Sequence, residues 1–103
     1  MIQVVNKYKE ANYYYIGRGS ILGNPFVMNN QSIEERNRVC NEYKKYIEKK
    51  VFIEKDKNFI DELNKLKELS KINNLNLGCF CAPKRCHGDA IKELLDGYEN
   101  FSF

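Results

Sequence analysis

The sequence predicts a single α/β domain over residues 1–103, in which helices cover a small mixed sheet. Two observations carry this prediction. Short runs of β-branched and aromatic residues alternate with long segments of helical periodicity, which favours strands packed against helices. A length of 103 residues also fits one domain with one modest core. The predicted order of elements is β, β, loop, α, α, β, loop, α.

Two short strands are predicted near the start of the chain. Ile2–Val5 is rich in β-branched residues, and Tyr13–Ile16 contains three tyrosines; both compositions are typical of strands. The polar segment 6–12 between them is turn-like. Gly17–Asn30 then brings Gly, Ser, Asn and Pro together in fourteen residues, a long loop for a compact domain. Long loops of this kind are more often functional than short ones.

The first helix is predicted to begin at Ser32, because Ser32-x-x-Glu35 fits a capping box. Its inner stripe is expected to consist of Ile33, Cys40, Tyr43 and Ile47. Among these, Cys40 is expected in the core, since free cysteine is one of the most buried residue types. The helix is expected to end or bend around Val51–Lys57.

A second helix is predicted from Asn58, and its apolar face contains Phe59, Ile60, Leu63, Leu66 and Leu69. The opposite face is expected to be solvated and contains Lys65, Lys67 and Glu68. Leu75–Cys81 has the pattern of a third strand, which Pro83 would stop. The last helix is predicted over Cys86–Asp96, with Gly97 as its C′ residue.

Composition excludes several classes of protein. The net charge of +3 is too small and too dispersed to indicate binding to duplex nucleic acid. No apolar run of about 18 residues predicts a membrane span, and no export signal is apparent, so a cytoplasmic protein is expected. In that reducing compartment the four cysteines are expected to be free thiols, metal ligands or buried apolar residues, without disulfides.

The segment Tyr15–Phe26 contains more glycine and polar residues than a connection requires. Its three glycines would let backbone N–H groups approach a ligand closely. Arg18 can hold a phosphate or carboxylate bidentately, whereas Ser20 and Asn24 can bind a sugar or base. The pattern lacks the third glycine and following helix of a dinucleotide-binding fingerprint. The alternative is a surface turn above a buried Phe26.

The segment Cys79–Asp89 follows a predicted strand and leads into a helix, the position at which ligands bind in many α/β sheets. Lys84 and Arg85 precede the helix start, whose free N–H groups favour an anion. Cys86 would have a lowered thiol pKa there, because of the helix dipole and the neighbouring cations. His87 can serve as an acid, a base or a hydrogen-bond donor near neutral pH.

Three interpretations of this segment are open. A zinc site would use Cys79, Cys81, Cys86 and His87, but their spacing is unlike the usual pairs, so we expect no zinc. A reactive thiolate at Cys86 would need a base and a third group, for which Asp89 is the nearby candidate. The cysteines could instead be packing residues beneath an anion-binding turn. The single histidine and the lack of a second carboxylate in either motif favour binding over acid–base catalysis.

Together, the segments YIGRGSILGNPF and CFCAPKRCHGD resemble the domain-of-unknown-function family 4326. The similarity extends over nearly the whole chain, and family members are typical of phages, large viruses and bacteria. Members often carry Trp where this chain has Leu22 and Phe80. The resemblance implies a fold but no accepted reaction. The site residues that it implies are Tyr15, Gly17, Arg18, Ser20, Gly23, Asn24, Pro25, Phe26, Cys79, Cys81, Pro83, Cys86, His87, Gly88 and Asp89.

We therefore expect the loops Gly17–Phe26 and Cys79–Asp89 to lie side by side and form one pocket for a nucleotide-like or ADP-ribose-like anion. Arg18 and the helix start would hold phosphate, and polar side chains would hold the ribose or base. The expected ligand-binding residues are Tyr15, Gly17, Arg18, Gly19, Ser20, Gly23, Asn24, Cys81, Lys84, Arg85, Cys86, His87, Gly88 and Asp89. No cofactor is expected.

Two other functions compete with this prediction. One is an enzyme that processes a nucleotide or nucleoside, with candidate catalytic residues Cys86, His87 and Asp89. The other is a zinc-stabilised interaction module. If the protein is viral, the binding function would serve to sequester a nucleotide immune signal in the host cytoplasm. A homo-oligomer is also expected, because a partner subunit would supply pocket walls that so small a chain lacks.

Overall fold

The computed structural model describes residues 2–8, 12–81 and 84–97. Its elements are β1 (Ile2–Asn6), β2 (Tyr14–Tyr15), α1 (Ile33–Glu48), α2 (Lys57–Ile72), β3 (Leu75–Cys79) and α3 (His87–Gly97). The predicted α/β class and order of elements are confirmed. The third strand ends at Cys79, two residues before the predicted end, and the expected stop at Pro83 lies outside the described residues.

The described sheet has three strands in the order β1-β3-β2, and both neighbouring pairs are parallel. A mixed sheet was predicted, so the strand direction is a correction. β1 and β2 lie on opposite sides of β3 and run in the same direction as β3. At Gly78 in β3 an added Cβ would overlap the ring of Tyr13. The missing side chain at Gly78 therefore makes room for the ring of Tyr13, the residue before β2.

The start of α1 is capped as predicted in one respect. Ser32 is the N-cap residue, and its Oγ accepts a hydrogen bond from the Glu35 N–H at 3.1 Å. The Glu35 carboxylate does not complete a capping box. It pairs with Arg38 Nε at 2.6 Å and accepts from the Asn29 N–H at 2.6 Å. The Arg38 side chain and the Asn29 N–H together lower the pKa of Glu35 to about 2.

The buried face of α1 contains Cys40, Tyr43 and Ile47, as predicted. Ile33 is different, because its side chain is 76% exposed. It is the first residue of the helix, and the buried face begins only with the turn at Val39. Hydrophobic spacing therefore predicted the stripe correctly but not the point at which the helix reaches the core.

The predicted break between the first two helices is confirmed. After Glu48 the helix continues into a π-helical turn, Lys49–Ile53, and Lys55 then adopts a φ of 51°. This left-handed conformation is uncommon for a non-glycine residue and ends the helical path. Asp56 starts α2 by accepting a hydrogen bond from the Phe59 N–H at 3.2 Å.

The core-facing side of α2 differs from the predicted face. Phe59, Leu63 and Leu66 are buried as expected, but Leu69 is 39% exposed. Lys67, predicted on the solvated face, is only 4% exposed. The spacing from Phe59 to Lys67 is two helical turns, so this residue falls on the buried side, where its apolar stem can pack.

The core lies between the sheet and the helices, and α3 packs against both α1 and β1. Its fully buried members include Ile16, Leu22, Tyr43, Ile47, Leu63, Leu66, Leu77, Ile91 and Leu95. Ile16 and Leu22 come from the first motif, so this loop is anchored in the core at two points. Across the described residues, no helix is both long enough and apolar enough to pass through a membrane.

Candidate functional site

The two sequence motifs meet at the carboxyl ends of β2 and β3. Ile16, directly after β2, donates its N–H to the Gly78 carbonyl of β3 at 3.1 Å. The Ile16 carbonyl in turn lies 2.6 Å from Nε2 of His87, the first residue of α3. The predicted adjacency of the motifs is therefore confirmed, and a hydrogen bond joins them directly.

A cavity of about 290 Å³ opens where the motifs meet. It is lined by Gly17, Arg18, Asn24, Phe26, Val27, Met28, Gln31, Val39, Cys79, Phe80, Cys81 and His87. Residues of both motifs thus line the same cavity. Arg18 carries a positive charge in this lining, and no carboxylate is present among the described residues that form it.

Two successive turns shape the first motif. The N–H and the hydroxyl of Ser20 both bond to the Gly17 carbonyl, at 3.1 and 2.6 Å, and the Gly23 N–H bonds to the Ser20 carbonyl at 3.0 Å. An added Cβ at Gly23 would lie 2.7 Å from the Gly17 oxygen, so the turns pack too tightly for a side chain there. Ser20 therefore closes the loop and lies outside the cavity lining.

Asn24 has one structural and one open hydrogen-bonding group. Its Oδ1 accepts from the Phe26 N–H at 2.9 Å, which forms a local Asx turn. Its Nδ2 group has no hydrogen-bond partner among the described residues and remains a donor at the cavity wall. Phe26 is half-buried and packs edge-on against Tyr46, with ring centroids 5.9 Å apart.

Arg18 is exposed and lines the cavity. Its carbonyl accepts a hydrogen bond from the Tyr15 hydroxyl at 3.0 Å, which fixes the backbone beside the cavity. The guanidinium itself makes no hydrogen bond or ion pair within the described ranges. Its N–H donors are therefore available at the cavity, and anion binding by Arg18 stays a prediction.

The other two predicted basic residues lie elsewhere. The Arg85 guanidinium donates to Oδ1 of Asn37 at 3.0 Å and to Oδ1 of Asn41 at 2.9 Å, both on α1. Lys84 is exposed, and its backbone N–H bonds to the Cys81 carbonyl at 2.8 Å. Neither side chain lines the cavity. Arg85 thus holds the second motif against α1.

The N-terminus of α3 is capped by the side chain of Asp89, a residue of the same helix. Oδ2 of Asp89 accepts a hydrogen bond from the Cys86 N–H at 3.1 Å. This carboxylate places a negative charge at the end of the helix that would otherwise attract an anion. Asp89 itself is exposed and outside the cavity lining, so the geometry gives it a capping contact. The other predicted residue, Gly88, is buried, and an added Cβ would lie 2.8 Å from Cδ1 of Ile16.

The prediction of a lowered thiol pKa at Cys86 is wrong. Cys86 and Cys79 are both buried, and their sulfur atoms lie 3.1 Å apart. The bond to the Cys79 thiol, together with burial, raises the pKa of Cys86 well above its ordinary range. These effects outweigh the helix dipole and the nearby cations, so Cys86 stays a neutral thiol and is a weak nucleophile.

Residues 2–8, 12–81 and 84–97 contain no cluster of three or more His, Cys, Asp or Glu side chains placed to hold a metal ion. The expected lack of stoichiometric zinc stays a prediction. Elemental analysis of the purified protein should give much less than one zinc per chain. About one zinc per chain, lost together with the fold on chelation, would contradict it.

His87 is 8% exposed, and its ring lies edge-on to Tyr43 with centroids 5.0 Å apart. Because the Ile16 carbonyl can only accept, Nε2 must carry a hydrogen and donate a hydrogen bond to it. Burial lowers the pKa of His87, so the ring is neutral at pH 7. It therefore positions the two motifs and does not supply a cation for phosphate.

We expect this histidine to make the protein less stable in mild acid. Its folded-state pKa lies below the unfolded value of about 6.5, so the unfolded state binds the proton more readily. The contribution is fully present above pH 6.5 and is lost as the pH falls through the folded-state pKa. The slope would approach about 1.4 kcal/mol per pH unit. Urea unfolding between about pH 5 and 8 measures it.

His87→Gln is the matched control, because the glutamine amide can still donate to the Ile16 carbonyl but does not titrate. The chain has one histidine, so no other imidazole contributes to the slope in this range. An equal slope in the variant would show that other groups cause the acid sensitivity.

Several residues of the cavity were not predicted individually. Val27, Met28 and Gln31 extend the wall from the first motif towards α1, and Val39 adds an apolar contact from α1. Val27 and Met28 belong to the same predicted loop, Gly17–Asn30, so the length of this loop could have identified them as candidate cavity residues. No sequence signal indicated Val39, whose position depends on how α1 packs against the loops.

Comparison of the sequence with known proteins identifies a family. No curated protein and no solved structure matches the chain. One family model matches residues 3–97, which include both motif loops and every element described above except Ile2, the first residue of β1. The resemblance seen in the sequence is thereby confirmed, and the chain belongs to the family described as Domain of unknown function (DUF4326).

Proposed function

We propose that this protein binds a nucleotide-like or ADP-ribose-like anion in the cavity between its two motifs. One observation carries the proposal: one cavity is lined by both motifs and by the Arg18 guanidinium, which has no partner among the residues that the structure describes. Its volume of about 290 Å³ is just below the usual range of ligand pockets, roughly 300–1,000 Å³. A mononucleotide, or one half of a larger nucleotide, is the size of ligand that it favours.

The groups around the cavity suit different parts of such a ligand. Arg18 can bind a phosphate through two parallel hydrogen bonds. The Nδ2 group of Asn24 and the side chain of Gln31 offer donors for a ribose or base, and Val27, Phe26 and Val39 provide apolar surface. Since the described lining holds no carboxylate, no negative charge there opposes an anion.

Binding is favoured over catalysis because the candidate catalytic residues have structural roles. Cys86 is a buried neutral thiol, and the Asp89 carboxylate accepts a hydrogen bond from the start of α3. The Nε2–H group of His87 donates a hydrogen bond to the Ile16 carbonyl. None of these three groups is arranged as a nucleophile with an adjacent base.

The proposal extends to where the protein acts, to its role in a virus and to its oligomeric state. The protein would act in the cytoplasm, and in a virus it would sequester a nucleotide signal of the host immune response. A homo-oligomer would deepen the open cavity by adding a wall from a partner subunit. Light scattering on the purified protein, with and without nucleotide, measures that assembly.

Calorimetric titration tests the binding function. The probes are the four common mononucleotides, ADP-ribose, cyclic dinucleotides and inorganic phosphate, with each solution analysed by chromatography afterwards. We expect saturable binding of at least one nucleotide, recovered unchanged. Saturable binding of none would contradict the proposal, and conversion of a nucleotide to product would favour the enzyme instead.

A further inference from the structure

A lysine surrounded by aromatic rings lies at the carboxyl edge of the sheet, beside the cavity. Tyr8 follows β1, Tyr15 ends β2 and Phe80 follows β3, so each described strand contributes one ring. The Tyr8 and Phe80 centroids are 5.5 Å apart, and Tyr15 meets Phe80 edge-on at 6.4 Å. We call Lys7, Tyr8, Tyr15 and Phe80 the aromatic cluster.

Lys7 holds this cluster together. Its Nζ lies 4.4 Å from the ring centroid of Phe80, 5.1 Å from that of Tyr15 and 5.4 Å from that of Tyr8. These distances are within the range of cation–π attraction. The Lys7 backbone is fixed as well, because its N–H donates to the Cys79 carbonyl at 2.9 Å. The rings therefore have a defined arrangement, although they lie at the surface.

Two rings of the cluster remain open to solvent. Tyr8 is 77% exposed and Phe80 is 48% exposed, so packing in the core does not account for their positions. Phe80 also lines the cavity, and the ring of Tyr15 covers Gly17, another cavity residue. The cluster is thus continuous with the cavity wall that contains Arg18.

We propose that Phe80, which lines the cavity, forms a stacking platform for the aromatic base of the nucleotide whose phosphate Arg18 binds, and that the ring of Tyr8, tilted by 52° to Phe80, borders the base. The inference rests on the proposed function and defines the ligand class more narrowly: the ligand must carry a base, and a sugar phosphate alone is not enough. An exposed aromatic face attracts any base, because every base has a π face. The Lys7 ammonium adds a second positive charge beside the cavity, which also favours an anionic ligand over a neutral nucleoside.

The test compares ligands with and without a base. Wild-type protein is titrated calorimetrically with AMP, GMP, CMP, UMP and ribose 5-phosphate, and the same titrations are made with Phe80→Leu and Tyr8→Leu. Leucine keeps apolar surface but removes the ring. Phe52→Leu is the matched control, because Phe52 is 45% exposed and lies outside the cavity lining.

We expect wild type to bind its preferred mononucleotide at least about tenfold more tightly than ribose 5-phosphate. Phe80→Leu should remove most of this difference without changing the affinity for ribose 5-phosphate, Tyr8→Leu should reduce it partly, and Phe52→Leu should have no effect. Circular dichroism of each variant checks the fold.

Each negative result of these titrations leads to a different conclusion. Equal affinity of wild type for ribose 5-phosphate and every mononucleotide, or unchanged nucleotide affinity in Phe80→Leu, would overturn the platform but keep the phosphate site. Binding of none of the probes by wild type would overturn the proposed function and the platform with it. Dissociation of an oligomer by Phe80→Leu, with nucleotide affinity unchanged, would identify the rings as a contact between subunits.

Discussion

Replacing Arg18 by alanine will weaken nucleotide binding by about ten- to a hundredfold and leave the fold intact. The guanidinium lines the cavity and has no partner among the described residues, so its removal leaves no group unpaired. A hydrogen bond to a charged group contributes roughly 1.5–3 kcal/mol, and each 1.4 kcal/mol is a factor of ten in affinity. Calorimetric titration with the nucleotide that binds wild type best measures the change.

Two further variants make this result specific. Arg18→Lys should recover only part of the affinity, since an ammonium cannot reproduce the planar fork that pairs with phosphate. Lys45→Ala removes the same charge from an exposed position of α1 outside the cavity and should bind like wild type. Unchanged affinity in Arg18→Ala would exclude Arg18 from the site, and an altered circular dichroism spectrum would show that it is structural.

The largest loss of stability is expected from Tyr43→Ala, about 3–5 kcal/mol of unfolding free energy. Tyr43 is fully buried, and its hydroxyl donates to the Leu22 carbonyl at 2.6 Å. Its ring also packs edge-on against His87. One side chain of α1 thus contacts both motifs. Because small domains have only about 5–15 kcal/mol of stability, urea unfolding should show a large decrease or no folded protein.

Tyr43→Phe separates the hydrogen bond from the packing. It keeps the ring but leaves the Leu22 carbonyl without its donor, which should cost about 1–3 kcal/mol. Burial raises the pKa of Tyr43, so the hydroxyl keeps its proton across the usual pH range. Tyr46→Phe is the matched control, because the Tyr46 hydroxyl has no hydrogen bond to the described residues. Equal stability of the two phenylalanine variants would show that the bond to Leu22 contributes nothing.

The features predicted correctly depend on residues that are close in sequence. The cap at Ser32, the buried positions of Tyr43 and Ile47 and the break after α1 follow from local spacing and propensity. The adjacency of the two motifs was also predictable, because each motif directly follows a predicted strand, where loops of α/β sheets gather. For these features the local pattern and the final packing agree.

The features that were missed depend on contacts across the fold. The parallel direction of the sheet depends on how strands far apart in the sequence pair with β3, and no pattern within the strands indicates it. The raised pKa of Cys86 depends on the Cys79 thiol, and the position of Arg85 depends on two asparagines of α1. Residue type alone suggested a nucleophile and a phosphate ligand, but the surrounding side chains engage both groups in structural contacts.

The strand order β1-β3-β2 has a consequence for how the protein folds during synthesis. Among the described strands, the central one is the last to leave the ribosome, since β3 follows α1 and α2 in the chain. Until β3 emerges, β1 and β2 have no neighbour with which to pair, and only the helices can form early. Closing the sheet joins Ile2 to Leu75 across both helices, a long-range contact of the kind that slows folding. Until Cys79 has been added, the nascent chain would therefore expose two unpaired strand segments, Ile2–Asn6 and Tyr14–Tyr15, when chaperones or self-association can compete with folding.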